Sequence, residues 1–186
     1  MREALERDGV ALRRAETEDA DAISALASDE NVEPFLAAAR ARDREAILVE
    51  IERSRADPMS RGLFVIESRR EGGPAIGAVA FEVSNRRSRI AHLYGLMLQP
   101  AFRGRGLATA ATRLFTEHLL RDLGFHRVEL ECYGFNERAI RHFERAGFVR
   151  EGVKRKAYWR RGEWVDGVLF AIVREDLEGE EAATLP

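Results

Sequence analysis

The stretch from residue 95 to residue 109 has the composition of a phosphate-binding loop. A short apolar strand stops at Pro100, and a basic turn with glycines at 104 and 106 precedes a long helix that opens at Leu107. The first N–H groups of a helix lack internal partners, and the helix dipole adds partial positive charge at the same end. Glycines before the helix let the backbone close on an anion. The sequence therefore predicts an anion cradle at this turn.

Two common phosphate loops do not fit the stretch. A Walker loop requires Gly-Lys followed by Ser or Thr, a combination that the sequence does not contain. A dinucleotide-binding fingerprint requires a third glycine where Thr109 stands, and it belongs near the start of a βαβ unit rather than past mid-chain. An ordinary glycine-rich turn in front of a core helix stays open as the alternative at this point.

The bulk composition is that of one ordinary globular domain. The 186 residues are 45% hydrophobic and 33% charged with a formal net charge of −2, so no global field attracts a membrane or a nucleic acid. No apolar run approaches membrane-spanning length, and the N-terminus lacks the apolar region of a signal peptide. Cys132 is the only cysteine, and the four histidines show no metal-site spacing. We expect a cytoplasmic protein with no metal site and no membrane partner.

The hydrophobic pattern predicts an α/β (α+β) fold in one domain over residues 8–176, with a mixed, mostly antiparallel sheet flanked by helices. A loose acidic tail should follow at residues 177–186. Short connections between residues 62 and 98 predict an antiparallel meander, with a bulge at Gly77. The strand at 89–98, the helix at 106–122 and the strand at 127–133 form a βαβ unit, so the two strands should be parallel neighbours.

The remaining elements follow from caps and turns. Helix N-caps are expected at Thr17 or Asp19, at Asp43 and at Asn136. Two closing strands, 148–159 and 164–174, should form a hairpin. Core packing is the default expectation for the two tryptophans of that hairpin, at 159 and 164.

Two blocks separated by one predicted strand resemble the GCN5-related N-acetyltransferase (GNAT) family. Residues 103–108 read RGRGLA and match its phosphate loop, Gln/Arg-x-x-Gly-x-Gly/Ala. Residues 136–148 read NERAIRHFERAGF and match Asn-x-x-Ala-x-x-x-Tyr/Phe-Glu-x-x-Gly-Phe. A third block, YWRRGEWVD at 158–166, is similar to the closing hairpin of the branch that contains ribosomal-protein N-terminal acetyltransferases and polyamine or antibiotic acetyltransferases.

The resemblance implies acetyl-CoA as the donor, a primary amine (a peptide N-terminus, a polyamine or a small amine) as the acceptor, and direct transfer in a ternary complex. Backbone N–H groups of the turn would hold the diphosphate, and the pantetheine arm would lie along the central strand. The N–H group of Leu98 would hold the developing oxyanion. The residues that the resemblance implies for coenzyme binding are Leu96, Met97, Leu98, Arg103, Gly104, Arg105, Gly106, Leu107, Ala108, Asn136 and Phe143.

The sequence departs from the family pattern at two catalytic positions. Many relatives have a glutamate where Leu93 stands and a tyrosine acid where Phe143 stands. A water relay to solvent is one alternative for proton transfer. The side chains that remain as candidates are His92, Tyr94, Glu129, Glu131, Tyr133 and Tyr158. Cys132 alternates with two apolar residues, Val128 and Leu130, which indicates a buried apolar position rather than a nucleophile.

Two other classes of function stay open. A non-catalytic acyl-CoA-binding regulatory domain fits the same blocks, because the usual acid and base positions are changed. An RNA-associated module could use the basic residues between 150 and 161, but stacking aromatics are not regularly interleaved with them, so we do not expect nucleic-acid binding. Homodimers are frequent among relatives, so the resemblance allows one.

Overall fold

The computed structural model describes residues 5–36, 42–69 and 75–177. Its strands are β1 (Leu5–Arg7), β2 (Val10–Arg14), β3 (Arg61–Ser68), β4 (Ala75–Asn85), β5 (Ile90–Leu98), β6 (Arg127–Tyr133), β7 (Val149–Arg160) and β8 (Glu163–Val173). Its α-helices are α1 (Ala20–Ala27), α2 (Arg44–Ala56), α3 (Leu107–Glu117) and α4 (Glu137–Arg145). The predicted turn at residues 72–74 and nearly all of the predicted acidic tail lie outside the described residues. The domain boundaries 8–176 stay a prediction.

The strands belong to one sheet in the order β1-β2-β3-β4-β5-β6-β8-β7. β5 and β6 run parallel, whereas the pairs β1–β2, β2–β3, β3–β4, β6–β8 and β7–β8 are antiparallel. The predicted mixed, mostly antiparallel sheet and the parallel βαβ neighbours are therefore confirmed. Within the three described ranges, no helix is long and apolar enough to cross a membrane.

The chain packs as two units, and the first comprises residues 1–82 and 93–114. Its core joins α1 and α2 to the strands, with Ile23, Ile47 and Ile51 buried among side chains of β3 and β4. The predicted cap of α2 is confirmed, because the Asp43 carboxylate accepts a hydrogen bond from Ala46 N at 2.9 Å. Of the two caps expected before α1, Asp19 stands at the N-cap position but makes no side-chain capping bond to the helix. Thr17 instead begins a 3₁₀ turn whose N-cap is Glu16.

Two bulges shape the edge of this core. Ile66 pairs with Gly77 while Glu67 pairs with Ala75, so Ile76 is the extra residue and the predicted bulge at Gly77 is confirmed. In β5, Gly95 has φ +63°. Tyr94 and Met97, three residues apart, both contact the core between α1, α2 and the sheet. Side chains of a regular strand share a face only at even spacing, so Gly95 marks a second bulge that the sequence pattern did not reveal.

The second unit comprises residues 83–92 and 115–186. Leu130 and Phe170, cross-strand partners of β6 and β8, are buried on one face of this part of the sheet. Phe143 of α4 packs its ring on that same face, 5.9 Å from the ring of Phe170. Arg161 and Gly162 both have positive φ, as a two-residue hairpin turn requires, so the predicted hairpin is confirmed.

One expectation is confirmed with a local difference, and one expectation about this unit is wrong. The helix predicted for residues 106–122 has the right extent, but its last part, His118–Asp122, is a π turn rather than an α-helical one. The tryptophans are not core residues: Trp159 is 58% exposed and Trp164 is 54% exposed. They are cross-strand partners on β7 and β8 with ring centroids 5.3 Å apart, so they pack mainly on each other.

Replacing Gly77 with alanine should destabilise the first unit, because a Cβ atom there would collide with the main-chain oxygen of Met97. We expect Gly77→Ala to lower the free energy of unfolding by about 1–3 kcal/mol. Gly152→Ala is the matched control, since its Cβ would meet only the Leu169 side chain at 3.9 Å. Chemical denaturation of the two variants checks the prediction. Equal stability of both variants would contradict the close approach of β4 and β5 at Gly77.

Candidate functional site

The glycine turn before α3 is open to solvent. Gly104 and Gly106 have φ of +76° and +78°, and an added Cβ at either position would meet nothing within 4 Å. The need for glycine is therefore conformational rather than steric. Ala110 N donates to Gly106 O at 3.0 Å, so the N–H groups of Leu107 and Ala108 come before the first N–H group that donates within the helix. Gly104, Arg105 and Gly106 are exposed, which leaves room for an anion beside these groups.

The two arginines of the turn behave differently. Arg103 donates from Nε to Leu98 O at 3.2 Å and from Nη2 to Asn31 O at 3.3 Å. In this arrangement its side chain braces the turn against the end of β5 and the segment after α1, and the implied contact with a diphosphate stays a prediction. Arg105 lies on the surface with its guanidinium carbon 5.5 Å from the centre of the Phe102 ring.

The end of β5 belongs to the same unit as the turn. Met97 and Leu98 bury their side chains, with 6% and 7% exposure, while Leu96 is half-buried. A ligand lying along this strand would therefore meet main-chain groups at Met97 and Leu98. Leu96, Met97, Leu98 and the residues of the turn lie in one unit, and their contact with a coenzyme stays a prediction.

Tyr94 of β5 has a partner that the sequence did not reveal. Its hydroxyl donates a hydrogen bond to Glu50 Oε1 of α2, and both side chains are partly buried. The helical spacing of Ile47, Ile51 and Ser54 places Glu50 at the edge of the buried face of α2. That spacing could have identified Glu50 as a partly buried residue, but it does not indicate that its hydrogen-bond partner comes from β5.

In the second unit, His92 and Glu129 are register partners in the parallel β5–β6 pair. Glu129 accepts a hydrogen bond from the Ser84 hydroxyl at 2.9 Å and lies 3.4 Å from Arg127 Nε. Arg127 also donates to Glu151 at 2.7 Å, and this hydrogen bond lowers the pKa of the Glu151 carboxyl. Glu129 is therefore part of a network of paired charges that includes Arg127 and Glu151.

A second group on the same strand face joins two of the predicted residues. The rings of Tyr133 and Tyr158 meet edge to face, with centroids 5.6 Å apart. Lys154 Nζ donates to Glu131 Oε2 at 2.6 Å. Burial, followed by hydrogen bonding to Glu131, raises the pKa of the Tyr158 hydroxyl above its usual value. Glu131 also lies so close to β8 that a Cβ at Gly167 would overlap its carboxylate.

The residues of the second sequence block have structural partners. Asn136 is 7% exposed, and its side-chain oxygen accepts a hydrogen bond from Ala139 N at 3.1 Å, which confirms the predicted N-cap. Phe143 is 6% exposed and packs edge-on against Phe148, so its ring is part of an aromatic core. A coenzyme contact by either residue stays a prediction.

The sequence and the fold together define a family. A family model described as an acetyltransferase (GNAT) domain matches residues 10–149. This protein therefore belongs to the GNAT acetyltransferase family, and the resemblance seen in the sequence is confirmed.

Two of the named relatives match shorter stretches. The chain is 32% identical over 85 residues to an uncharacterized N-acetyltransferase of Bacillus subtilis, YokL, and 32% identical over 104 residues to the L-amino acid N-acetyltransferase AaaT of Escherichia coli. The aligned regions cover 46% and 55% of this chain. They span 48% of YokL and 64% of AaaT, so the chain spans about half to two thirds of the length of these curated relatives.

Solved structures match over most of the chain. Spermidine N-acetyltransferase from Vibrio cholerae, in complex with CoA and spermine, superposes with a TM-score of 0.81 at 20% identity, over 91% of this chain and 98% of that one. Mycobacterium smegmatis RimJ, in complex with CoA-disulfide, gives 0.76 at 25% identity, over 90% and 83%. The predicted α/β fold with its mixed sheet is therefore confirmed.

Cys132 should resist alkylation in the folded protein. Burial, together with the charge of Glu131, raises the pKa of its thiol to about 12. At pH 8 the folded protein should react with iodoacetamide roughly a thousand-fold more slowly than a free cysteine, because the thiolate is the reactive form. Mass spectrometry of the folded and the denatured protein checks this. Rapid alkylation of the folded protein would restore the nucleophile interpretation that the sequence disfavoured.

Proposed function

We propose that this protein is an N-acetyltransferase that moves the acetyl group of acetyl-CoA directly to a primary amine within a ternary complex. The observation that carries the proposal is the exposed turn at Gly104 and Gly106, whose left-handed backbone presents the start of α3 to solvent. Membership of the GNAT family supports the diphosphate of the coenzyme as the ligand of that turn. The cytoplasm is the proposed location.

Main-chain groups do most of the proposed coenzyme binding. The N–H groups of Arg105, Gly106, Leu107 and Ala108 would hold the diphosphate. Main-chain groups of β5 would hold the pantetheine, because the side chains of Met97 and Leu98 are buried. The N–H group of Leu98 would polarise the thioester carbonyl and stabilise the oxyanion. Asn136 and Phe143 are the coenzyme residues proposed in the second unit.

The proposed chemistry needs a neutral amine at the thioester carbon. An alkylammonium has a pKa near ~10.4 and must lose a proton first, whereas a thiolate with a pKa near ~8.5 can leave without an acid. Proton removal is therefore the step that requires a group of the protein or a water relay. Phe143 cannot supply an acid where the family often has tyrosine, so the proposal includes none at that position.

The acceptor class comes from relatives by analogy. One relative is named as an L-amino acid acetyltransferase, and another, 24% identical over 117 residues, as a spermidine acetyltransferase. A small amine is the class that these names share, and a peptide N-terminus stays in the proposal from the sequence blocks. A homodimer and a cytoplasmic enzyme are parts of the proposal that the named relatives do not address.

An assay for free thiol tests the proposal. Acetyl-CoA is incubated with the protein and, in separate reactions, with L-amino acids, spermidine and peptides that begin with alanine. Enzyme-dependent thiol release that requires one of these amines is expected. Binding of acetyl-CoA without turnover on any of them would favour the competing function, a non-catalytic acyl-CoA-binding domain.

Alanine at Gly106 should abolish stabilisation by the coenzyme, because the left-handed turn is strained for any side chain. For the wild type, acetyl-CoA at about 100 times its Kd adds about 2.7 kcal/mol of stability. A domain of this size should then gain roughly 5–10 °C in Tm. Thermal unfolding with and without acetyl-CoA measures the shift.

Gly162→Ala is the matched control for that experiment. Gly162 has φ +83° in the β7–β8 hairpin, and an added Cβ there would also meet nothing within 4 Å. The control should carry a similar strain and keep the full acetyl-CoA shift. If both variants lose the shift equally, the turn before α3 is not the diphosphate site.

A further inference from the structure

We propose that Glu50, held by Tyr94, receives the proton of the acceptor's ammonium group. This inference rests on the proposed acetyltransferase function and assigns its missing base. The observation is the hydrogen bond from the Tyr94 hydroxyl to Glu50 Oε1, which ties α2 to β5 within one unit. The same unit contains the glycine turn and the end of β5.

The position of Glu50 is fixed by the packing of its helix. Asp43 caps α2, and Ile47 and Ile51 bury one face of it with 4% and 2% exposure. Glu50 lies beside that face and is partly buried. A carboxylate held on a packed helix by a second element has little freedom to turn away, which is the property that a base requires.

The location on β5 is suited to the reaction. Tyr94 immediately precedes the bulge at Gly95 and lies two residues before Leu96, where the proposed coenzyme strand begins. The family glutamate would stand one residue earlier, where Leu93 is buried with 2% exposure and cannot accept a proton. Glu50 therefore brings a carboxylate from α2 to the β5 residue that precedes the bulge.

The partner of Glu50 distinguishes it from the other carboxylates considered. Glu129 lies 3.4 Å from Arg127 Nε, and Glu131 accepts a hydrogen bond from Lys154 at 2.6 Å, so each has a cationic partner. The hydrogen bond to Glu50 comes from a neutral phenol. A carboxylate offers about four acceptor positions, so Tyr94 can orient Glu50 and leave capacity for an ammonium.

Other charged groups on the elements around α2 have partners of their own. Asp21 of α1 bonds to Arg44 at 2.8 Å. Arg14 of β2 bonds to Ser54 Oγ at 2.9 Å and to Pro58 O at 2.7 Å. Arg53, three residues after Glu50 on α2, is exposed. From β5, the Tyr94 hydroxyl is the group that bonds to Glu50.

The proposed step balances its protons. Glu50 takes one proton from the ammonium, and the nitrogen lone pair forms a bond to the thioester carbonyl carbon. The carbon–sulfur bond breaks, and its electron pair leaves with the sulfur as a thiolate. The proton on Glu50 passes through water to the thiolate, and the surplus proton of the new amide nitrogen goes to solvent.

The test compares Glu50→Gln with Glu52→Gln, an exposed glutamate two residues further along the same helix. With the amine that the thiol-release assay identifies, Glu50→Gln should lose about 100-fold or more in kcat/KM at pH 7, the range of general base catalysis. Glu52→Gln should keep the wild-type value. Glu50→Asp should recover part of the loss.

The pH profile separates a base from a structural role. As the pH rises towards the pKa of the amine, a larger fraction of the amine is already deprotonated and needs no base. The loss of kcat/KM in Glu50→Gln should therefore shrink about tenfold per pH unit. A purely structural role predicts a constant defect, and that result would overturn the proposal. So would unchanged kcat/KM in Glu50→Gln.

Coenzyme binding distinguishes a failure of the Glu50 proposal from a failure of the proposed acetyltransferase function. Glu50→Gln should retain the full rise in Tm with acetyl-CoA, because the proposed role of Glu50 is towards the acceptor amine and not towards the coenzyme. A wild type that neither binds acetyl-CoA nor releases thiol would refute the acetyltransferase function itself. If the wild type and Glu50→Gln bind acetyl-CoA and release thiol equally well, only the role of Glu50 is refuted.

Discussion

The left-handed backbone at Gly104 and Gly106 is the constraint on which the candidate site depends. A helix start carries N–H groups without internal acceptors, and in most proteins a capping side chain satisfies some of them. Here two glycines precede the helix instead, and both are exposed. Glycine loses more conformational entropy on folding than any other residue, so such a turn weakens the fold locally. An anionic ligand that binds the exposed N–H groups offsets that cost.

The architecture could be predicted because its determinants are local. The caps at Asp43 and Asn136 and the hairpin turn at Gly162 depend on residue types a few positions apart. The parallel βαβ pair follows from connection length and handedness. The bulge in β5 was missed because an isolated glycine in a strand pattern does not reveal whether its φ is positive. The exposed tryptophans were missed because a large aromatic residue at a hairpin tip has too little surrounding structure to bury it.

The site was only partly predictable, because its side chains find partners far away in sequence. The glycine turn and the strand beside it follow from one contiguous motif, and the cradle proposed there follows from the same residues. Arg103, by contrast, bonds to Asn31 O, 72 residues away, and Tyr94 bonds to Glu50, 44 residues away. A motif identifies which residues are near a ligand, but it does not show which donors the fold has already used.

The charge environment also limits what Tyr158 could do. Burial and Glu131 raise the pKa of its hydroxyl above the usual value near ~10, so the phenol keeps its proton across neutral pH and is no base there. It is also a weaker acid than a thiol with a pKa near ~8.5, so full proton transfer to a thiolate costs at least about 2 kcal/mol. A hydrogen bond to an anion remains open to it. Lys154 holds Glu131 in place beside this phenol, and the missing side chain of Gly167 leaves room for its carboxylate. The cluster therefore fixes a proton rather than moving one.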